Sequence, residues 1–158
     1  MPRYDASNAE VHVFSFKDGM LAKLAHDLKL KVGSFTIDVA DDNGRIDARF
    51  DARSVEVVCR RKDGRDDPSQ FMSLEVSQIN GNVSKDVLES SKYPEIRFTS
   101  TSVAPAGEGF EVRGDLTLHG KTKPITASIK KDGGRYRTSV RIHQPDFGIK
   151  PYSAALGA

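Results

Sequence analysis

Four histidines are the residues best suited to chemistry: His12, His26, His119 and His143. An imidazole can ligate a metal, move a proton or hold a polar head group. Metal ligation needs several such donors at short, regular spacing, and these four lie far apart with no ligand motif between them. His26, followed by Asp27, sits where a short helix hands over to a strand, so it is a candidate for fixing a ligand head group. His119 lies at the tip of the LTLHG turn, where turn chemistry alone accounts for it. A small metal-binding protein or metalloenzyme using His26 with His119 or His12 is the runner-up reading. The single cysteine, Cys59, cannot form an internal disulfide, and it lies in an apolar run with Val55, Val57 and Val58. Arg60 to Lys62 could attract an anion, but Asp63, Asp66 and Asp67 offset them. No nucleophile elbow, P-loop, GxGxxG or CxxC is present. The sequence therefore gives no catalytic residues and points away from an enzyme.

The elements that position these residues are strands. In the stretch Tyr93 to Thr126, Ile96 and Phe98 alternate with Glu95, Arg97 and Thr99. Phe110 and Val112 alternate with Glu111 and Arg113, and Leu116 and Leu118 with Asp115, Thr117 and His119. A period of two puts the apolar set on one face. Ala104 to Gly109 and His119 to Pro124 read as hairpin loops, so two long hairpins share one apolar face.

Taken in order, Glu10 to Lys17 is the first strand candidate. Val11 and Val13 fall on one face, and His12, Phe14 and Phe16 on the other. Met20 to Ala25 reads as a short helix. Leu28, Leu30 and Val32 alternate with lysines. At Gly33 the phase slips to Phe35, Ile37 and Val39, which predicts a β-bulge that bends the strand. Asp41 to Gly44 is a hairpin turn. Ile46, Ala48 and Phe50 return, and Val55 and Val57 continue. Arg60 to Pro68 reads as a solvated loop. Ser73 to Glu89 is the longer helix, with Val76, Ile79, Val83 and Val87 turned to the sheet. After a turn at Asp132 to Gly134, Tyr136, Val140 and Ile142 alternate with arginines. The Pro- and Gly-rich tail reads as irregular.

The result is a mainly β chain: one antiparallel barrel domain of about eight strands, with one longer and one short helix. About eight strands close around side chains or one small ligand. A chain of 158 residues can bury a core of that kind. Charged residues make up 29% of it at a formal net charge of only +2, with both signs interspersed. That offers no basic stripe for nucleic acid. No apolar run is long enough to span a membrane, and MPRYDASNAEVHVF carries no secretory apolar core. The chain as written is expected in the cytoplasm, and in the periplasm if a leader has been removed.

The segments YPEIRFTST and FEVRGDLTLHGKTKPI strongly resemble the YceI-like family, the polyisoprenoid-binding, lipocalin-like proteins of bacteria. FKDGMLAKLAHDLKL, KDVLESSKYPEI and DFGIKPY match in the same order, so the resemblance runs along most of the chain. It implies an extended barrel around an elongated apolar cavity that holds an isoprenoid or another long-chain amphiphile. No other cofactor is implied. The wall positions expected on this basis are Phe14, Phe16, Leu28, Phe35, Ile37, Phe50, Phe98, Phe110, Val112, Leu116 and Leu118, with His26 at the mouth. Family members usually carry one more strand after the DFGI segment. The unpaired edge expected here would be covered by a homodimer or by the tail, or would dock a partner chain as an interaction module.

Overall fold

The computed structural model describes residues 3–15, 27–40, 44–62, 65–67 and 73–149. The short helix expected at Met20–Ala25, Phe16 and His26 lie outside the described residues. The fold is mainly β, antiparallel and lipocalin-like in its curl. One sheet contains β1 (Arg3–Asp5), β4 (Phe35–Val39), β5 (Ile46–Asp51), β8 (Glu95–Ala106), β9 (Gly109–Leu118), β10 (Lys121–Asp132) and β11 (Arg135–Arg137), in that spatial order. The other contains β2 (His12–Ser15), β3 (Asp27–Val32), β6 (Val55–Lys62) and β7 (Arg65–Asp66).

The phase slip at Gly33 is a corner between the two sheets. The expected bulge there is replaced by a change of sheet, since β3 ends at Val32 and β4 begins at Phe35. Both strands of the pair turn together. Gly33 N–H donates to the Ser54 carbonyl (3.1 Å) and Asp51 N–H to the Ser34 carbonyl (3.0 Å), with a 3-10 turn at Ala52–Ser54 on the outer strand. The bend thus keeps its backbone hydrogen bonds, and the inner faces of the two sheets become one surface. Real bulges lie elsewhere. Val58 is the extra residue opposite Lys29 and Leu30, and Thr101 the extra residue opposite Arg113 and Gly114. The second restores parity, so that Val103 lies on the same face as Phe98 and Ser100.

The alternation predicted for the long hairpins is present. On β9, Val112, Gly114, Leu116 and Leu118 are buried while Glu111, Arg113 and Asp115 are exposed. Gly114 leaves a gap in the apolar face that the Phe98 ring fills, with its nearest atoms 2.6 and 2.8 Å from where a Cβ would be. Ala48, Phe98, Val112, Leu116 and Leu118 form the main cluster, and Leu30, Val32, Phe35 and Val55 a second. Ile37, Phe50 and Leu88 pack on both, which makes the core continuous around the corner.

The longer helix is α1 (Ser73–Asn82), followed by a π turn at Val83–Val87 closed by Leu88 N–H to the Val83 carbonyl (2.8 Å). Its far end carries the packing, through Val83, Val87 and Leu88, whereas Leu74 is 70% exposed. The Asn80 side chain accepts from Val57 N–H (2.8 Å), and Arg60 bonds Glu75 (2.5 Å), so the helix lies along β6.

The segment read as a loop after Cys59 continues as strand to Lys62 and returns as β7. Polar residues form this ribbon because its charges pair across it: Asp66 accepts from Arg61 (2.6 Å) and from Lys29 (3.1 Å). These two contacts, Arg61 first, hold the Asp66 carboxyl below its ordinary value near 3.8. A carboxyl with a lowered native pKa adds stability above its ordinary pKa and loses it as pH falls through the native one. Asp66→Asn should therefore lower the urea midpoint at pH 7, and the gap to wild type should close below about pH 4. A gap that stays the same from pH 7 down through the acid range, or no gap at pH 7, would mean that these pairs do not contribute.

Candidate functional site

The inner face of the joined sheets is the candidate site. The register shows how it is built. Phe35 lies opposite Phe50, Phe50 opposite Ile96, Ala48 opposite Phe98, and Phe98 opposite Leu116. Val112 lies opposite Val103 and Ala127, and Phe110 opposite Ile129. The Phe35 and Phe50 rings stack at 6.1 Å. Leu28, Phe35, Ile37, Phe50, Phe98, Phe110, Val112, Leu116 and Leu118 thus share one surface. Phe14 lies on the opposite side. It sits across from Lys29, 41% exposed, with the Arg61 guanidinium 4.8 Å above its ring. Strand β2 has bulk on both faces, and its pairing puts Val13, not Phe14, beside Leu30.

The cover on this face is uneven. At one end Phe147 and Ile149 are buried against it, with the partly buried Val87 and Leu88 alongside. Toward the other end Val103, Phe110 and Ile129 are only partly buried, and Tyr136, whose ring lies 6.3 Å from Phe110, is 49% exposed. An adjoining groove of about 340 Å³ is lined by Ala106, Glu108, Gly109, Ser128, Ile129, Lys130 and Lys131. Ala106, Gly109, Ser128 and Lys130 of this groove alternate with the inner-face positions, so of its charged strand residues Lys131 is the one on the face of Ile129.

Phe147 and Ile149 come from the tail, where a 3-10 turn at Gln144–Phe147 ends on Gly148 in the left-handed region (φ 69°). The segment is clamped by His119. One ring nitrogen, Nδ1, bonds the Phe147 carbonyl (3.1 Å), and Nε2 bonds Glu89 (2.5 Å). Tyr93 packs on the ring at 4.6 Å. A carbonyl only accepts, so in this contact Nδ1 is the donor. Both His119 (φ 55°) and Glu89 (φ 47°) adopt the left-handed conformation that non-glycine residues rarely take, which makes this clamp a place of stored backbone strain. With both nitrogens engaged, His119 is not poised for a metal. Among the described residues no group of three His, Cys, Asp or Glu side chains could hold one. His12 lies on β2 with its ring 6.3 Å from Phe14, and His143 pairs with Asp146 at the surface (3.4 Å). Cys59 is a free, half-buried thiol. His119→Asn keeps a residue that tolerates the turn but removes the ring contacts. It should cost about 1–3 kcal/mol in chemical denaturation and speed amide exchange at Ile149. Unchanged exchange there would show that the clamp does not hold the tail.

No helix among the described residues is long and apolar enough to cross a membrane. Comparison with known proteins follows the fold. Escherichia coli O17:K52:H18 protein YceI is 50% identical over a 77-residue alignment that covers 42% of this chain and 40% of that protein. A UPF0312 protein of Pseudomonas savastanoi pv. phaseolicola is 45% identical over 78 residues, 42% of this chain and 41% of its own. The matches thus span about two fifths of the length of these curated relatives. The crystal structure of Burkholderia cenocepacia BcnA superposes with a TM-score of 0.59 at 20% identity, covering 84% of this chain and 85% of that one. The family model for the YceI-like domain matches residues 3–157, and on that match the chain belongs to the YceI-like family.

Proposed function

We propose that this protein is a non-enzymatic binding protein, or carrier, for a long-chain apolar ligand, a polyisoprenoid or a fatty-acyl amphiphile. The observation that carries the reading is the half-covered inner face. Phe147 and Ile149 are buried over it at one end, and toward the other Val103, Phe110 and Ile129 stay partly accessible. Each Å² of apolar surface removed from water contributes about 25 cal/mol, from which the cost of ordering ligand and side chains is subtracted. A flexible chain of a dozen or more carbons meets that cost by covering the aromatic and branched side chains together. Specificity for the polar end would then come from Lys131, which shares the face of Ile129, and from Glu108 in the adjacent turn.

Organic extraction of natively purified protein, followed by mass spectrometry, tests this. A recurrent long-chain species in stoichiometric amount is expected. Lipid-free protein that also takes up no added isoprenoid or fatty acid would overturn the reading.

A further inference from the structure

The edge of β10 that faces β11 is paired over only part of its length. Lys130, Lys131 and Asp132 pair with Arg137, Tyr136 and Arg135, and the ladder then stops. Continuing the register along the chain sets Ser128 opposite Ser139, Ala127 opposite Val140, Ile125 opposite Ile142 and Pro124 opposite His143. Val140 and Ile142 would then join Ala127 and Ile125 on the inner apolar face, which is why the sequence alternates there. Pro124 has no N–H to give, so pairing would end at His143, one residue before the 3-10 turn.

The span is fixed at both ends. Arg137 is held opposite Lys130, and the clamp of His119 on Phe147, with the Lys121 side chain packed against Gly148, holds the far end near the start of β10. Six residue steps lead from Lys130 to Pro124 and six from Arg137 to His143. At about 3.4 Å per residue both reach about 20 Å. Residues 138–143 thus have little slack and run beside β10. The ladder does not include them: strand pairing ends at Arg137, and residues 138–143 are not strand. Thr138 Oγ1 instead donates to the Ser128 carbonyl (3.1 Å), the acceptor that Ser139 N–H would use. Ile142 remains 40% exposed.

We propose that residues 138–142 are a strap that zips onto β10 in this register and unzips from it, and that the seam between them is the doorway by which an apolar chain reaches the inner face. The part played by the ligand rests on the binding reading above; the zipping does not. Ala127→Cys with Val140→Cys, in a Cys59→Ser background, tests both. Opposed cysteines in register can bridge, since a disulfide needs Cβ atoms about 3.5–4.5 Å apart. Mild oxidation should give near-complete bridging within the monomer. The bridged form should take up a fluorescent C18 fatty acid at least tenfold more slowly than the same protein after reduction. Low bridging yield at this pair and at Ile125→Cys with Ile142→Cys would overturn the strap. Full bridging with equal uptake rates would overturn the doorway. If the reduced protein binds no probe, the doorway falls with the ligand reading, while the bridging yield still decides the strap. Thr138→Val provides a second readout: freeing the Ser128 carbonyl should slow amide exchange at Ser139, and unchanged exchange would count against zipping.

Discussion

Phe98→Asp is expected to leave the chain unfolded at 25 °C, with loss of dispersion in the amide spectrum and of any bound apolar ligand. Phe98 is 9% exposed at the centre of the inner face, and its ring fills the space left by Gly114. A carboxylate placed there loses its water and finds neighbours such as Ala48, Val112 and Leu116, with no cation in the cluster to pair with. The lost aromatic packing alone is worth about 3–5 kcal/mol by the measure of Phe-to-Ala changes. Burying an unpaired charge adds several more, against a total stability of about 5–15 kcal/mol for a domain. Phe98→Leu retains apolar chemistry and should fold with a lowered midpoint. A folded Phe98→Asp protein with the wild-type midpoint would place this side chain outside the core.

Gly109→Ala should rank next. A Cβ at Gly109 would stand 1.8 Å from the Ile129 carbonyl oxygen and 2.9 Å from its carbon, both backbone atoms of β10. No rotamer change relieves such a contact, so one strand must move away from the other where Phe110 pairs with Ile129. The loss should sit at or above the upper end of the ~1–3 kcal/mol typical of overpacked cores. Gly81→Ala is the matched control. Nothing lies within 4 Å of the added methyl, and in the helix it should gain up to about 1 kcal/mol. Equal midpoints for the two alanine variants would contradict the close approach of β9 and β10 at Gly109.

Much of the fold was legible because strand parity is a local signal. Phe98, Val112, Leu116 and Leu118 announced their common face through neighbours one residue away, and the turns at Gly44, Gly120 and Gly133–Gly134 through residues that take positive φ. What was not legible depends on partners distant in sequence. The slip at Gly33 fits a bulge or a corner equally well, and pairing of the second strand through Ser54 decides between them. The end of β6 and the short β7 looked like a loop because their pairing comes from Asp66 reaching Lys29 and Arg61. Phe14 could not be oriented, since β2 carries apolar bulk on both faces. Phe147 and Ile149 stand in an aperiodic tail, where no alternation marks them as core. The clamp joins His119 to Glu89, 30 residues away, across two left-handed turns. For β11 the alternation runs to Ile142, and the observed strand stops at Arg137.

The most direct test of the account is methyl NMR of protein labelled at Ile, Leu and Val, titrated with a C18 fatty acid and with a short isoprenoid alcohol. Shifts and intermolecular contacts are predicted at Val103, Ile125 and Ile129, weakening toward Leu30 and Val55, with Val58 on the other side of the sheet unmoved. Saturable shifts at Val58 with a silent Ile129, or no shift anywhere at millimolar ligand, would contradict the claim that this inner face is where an apolar chain is held.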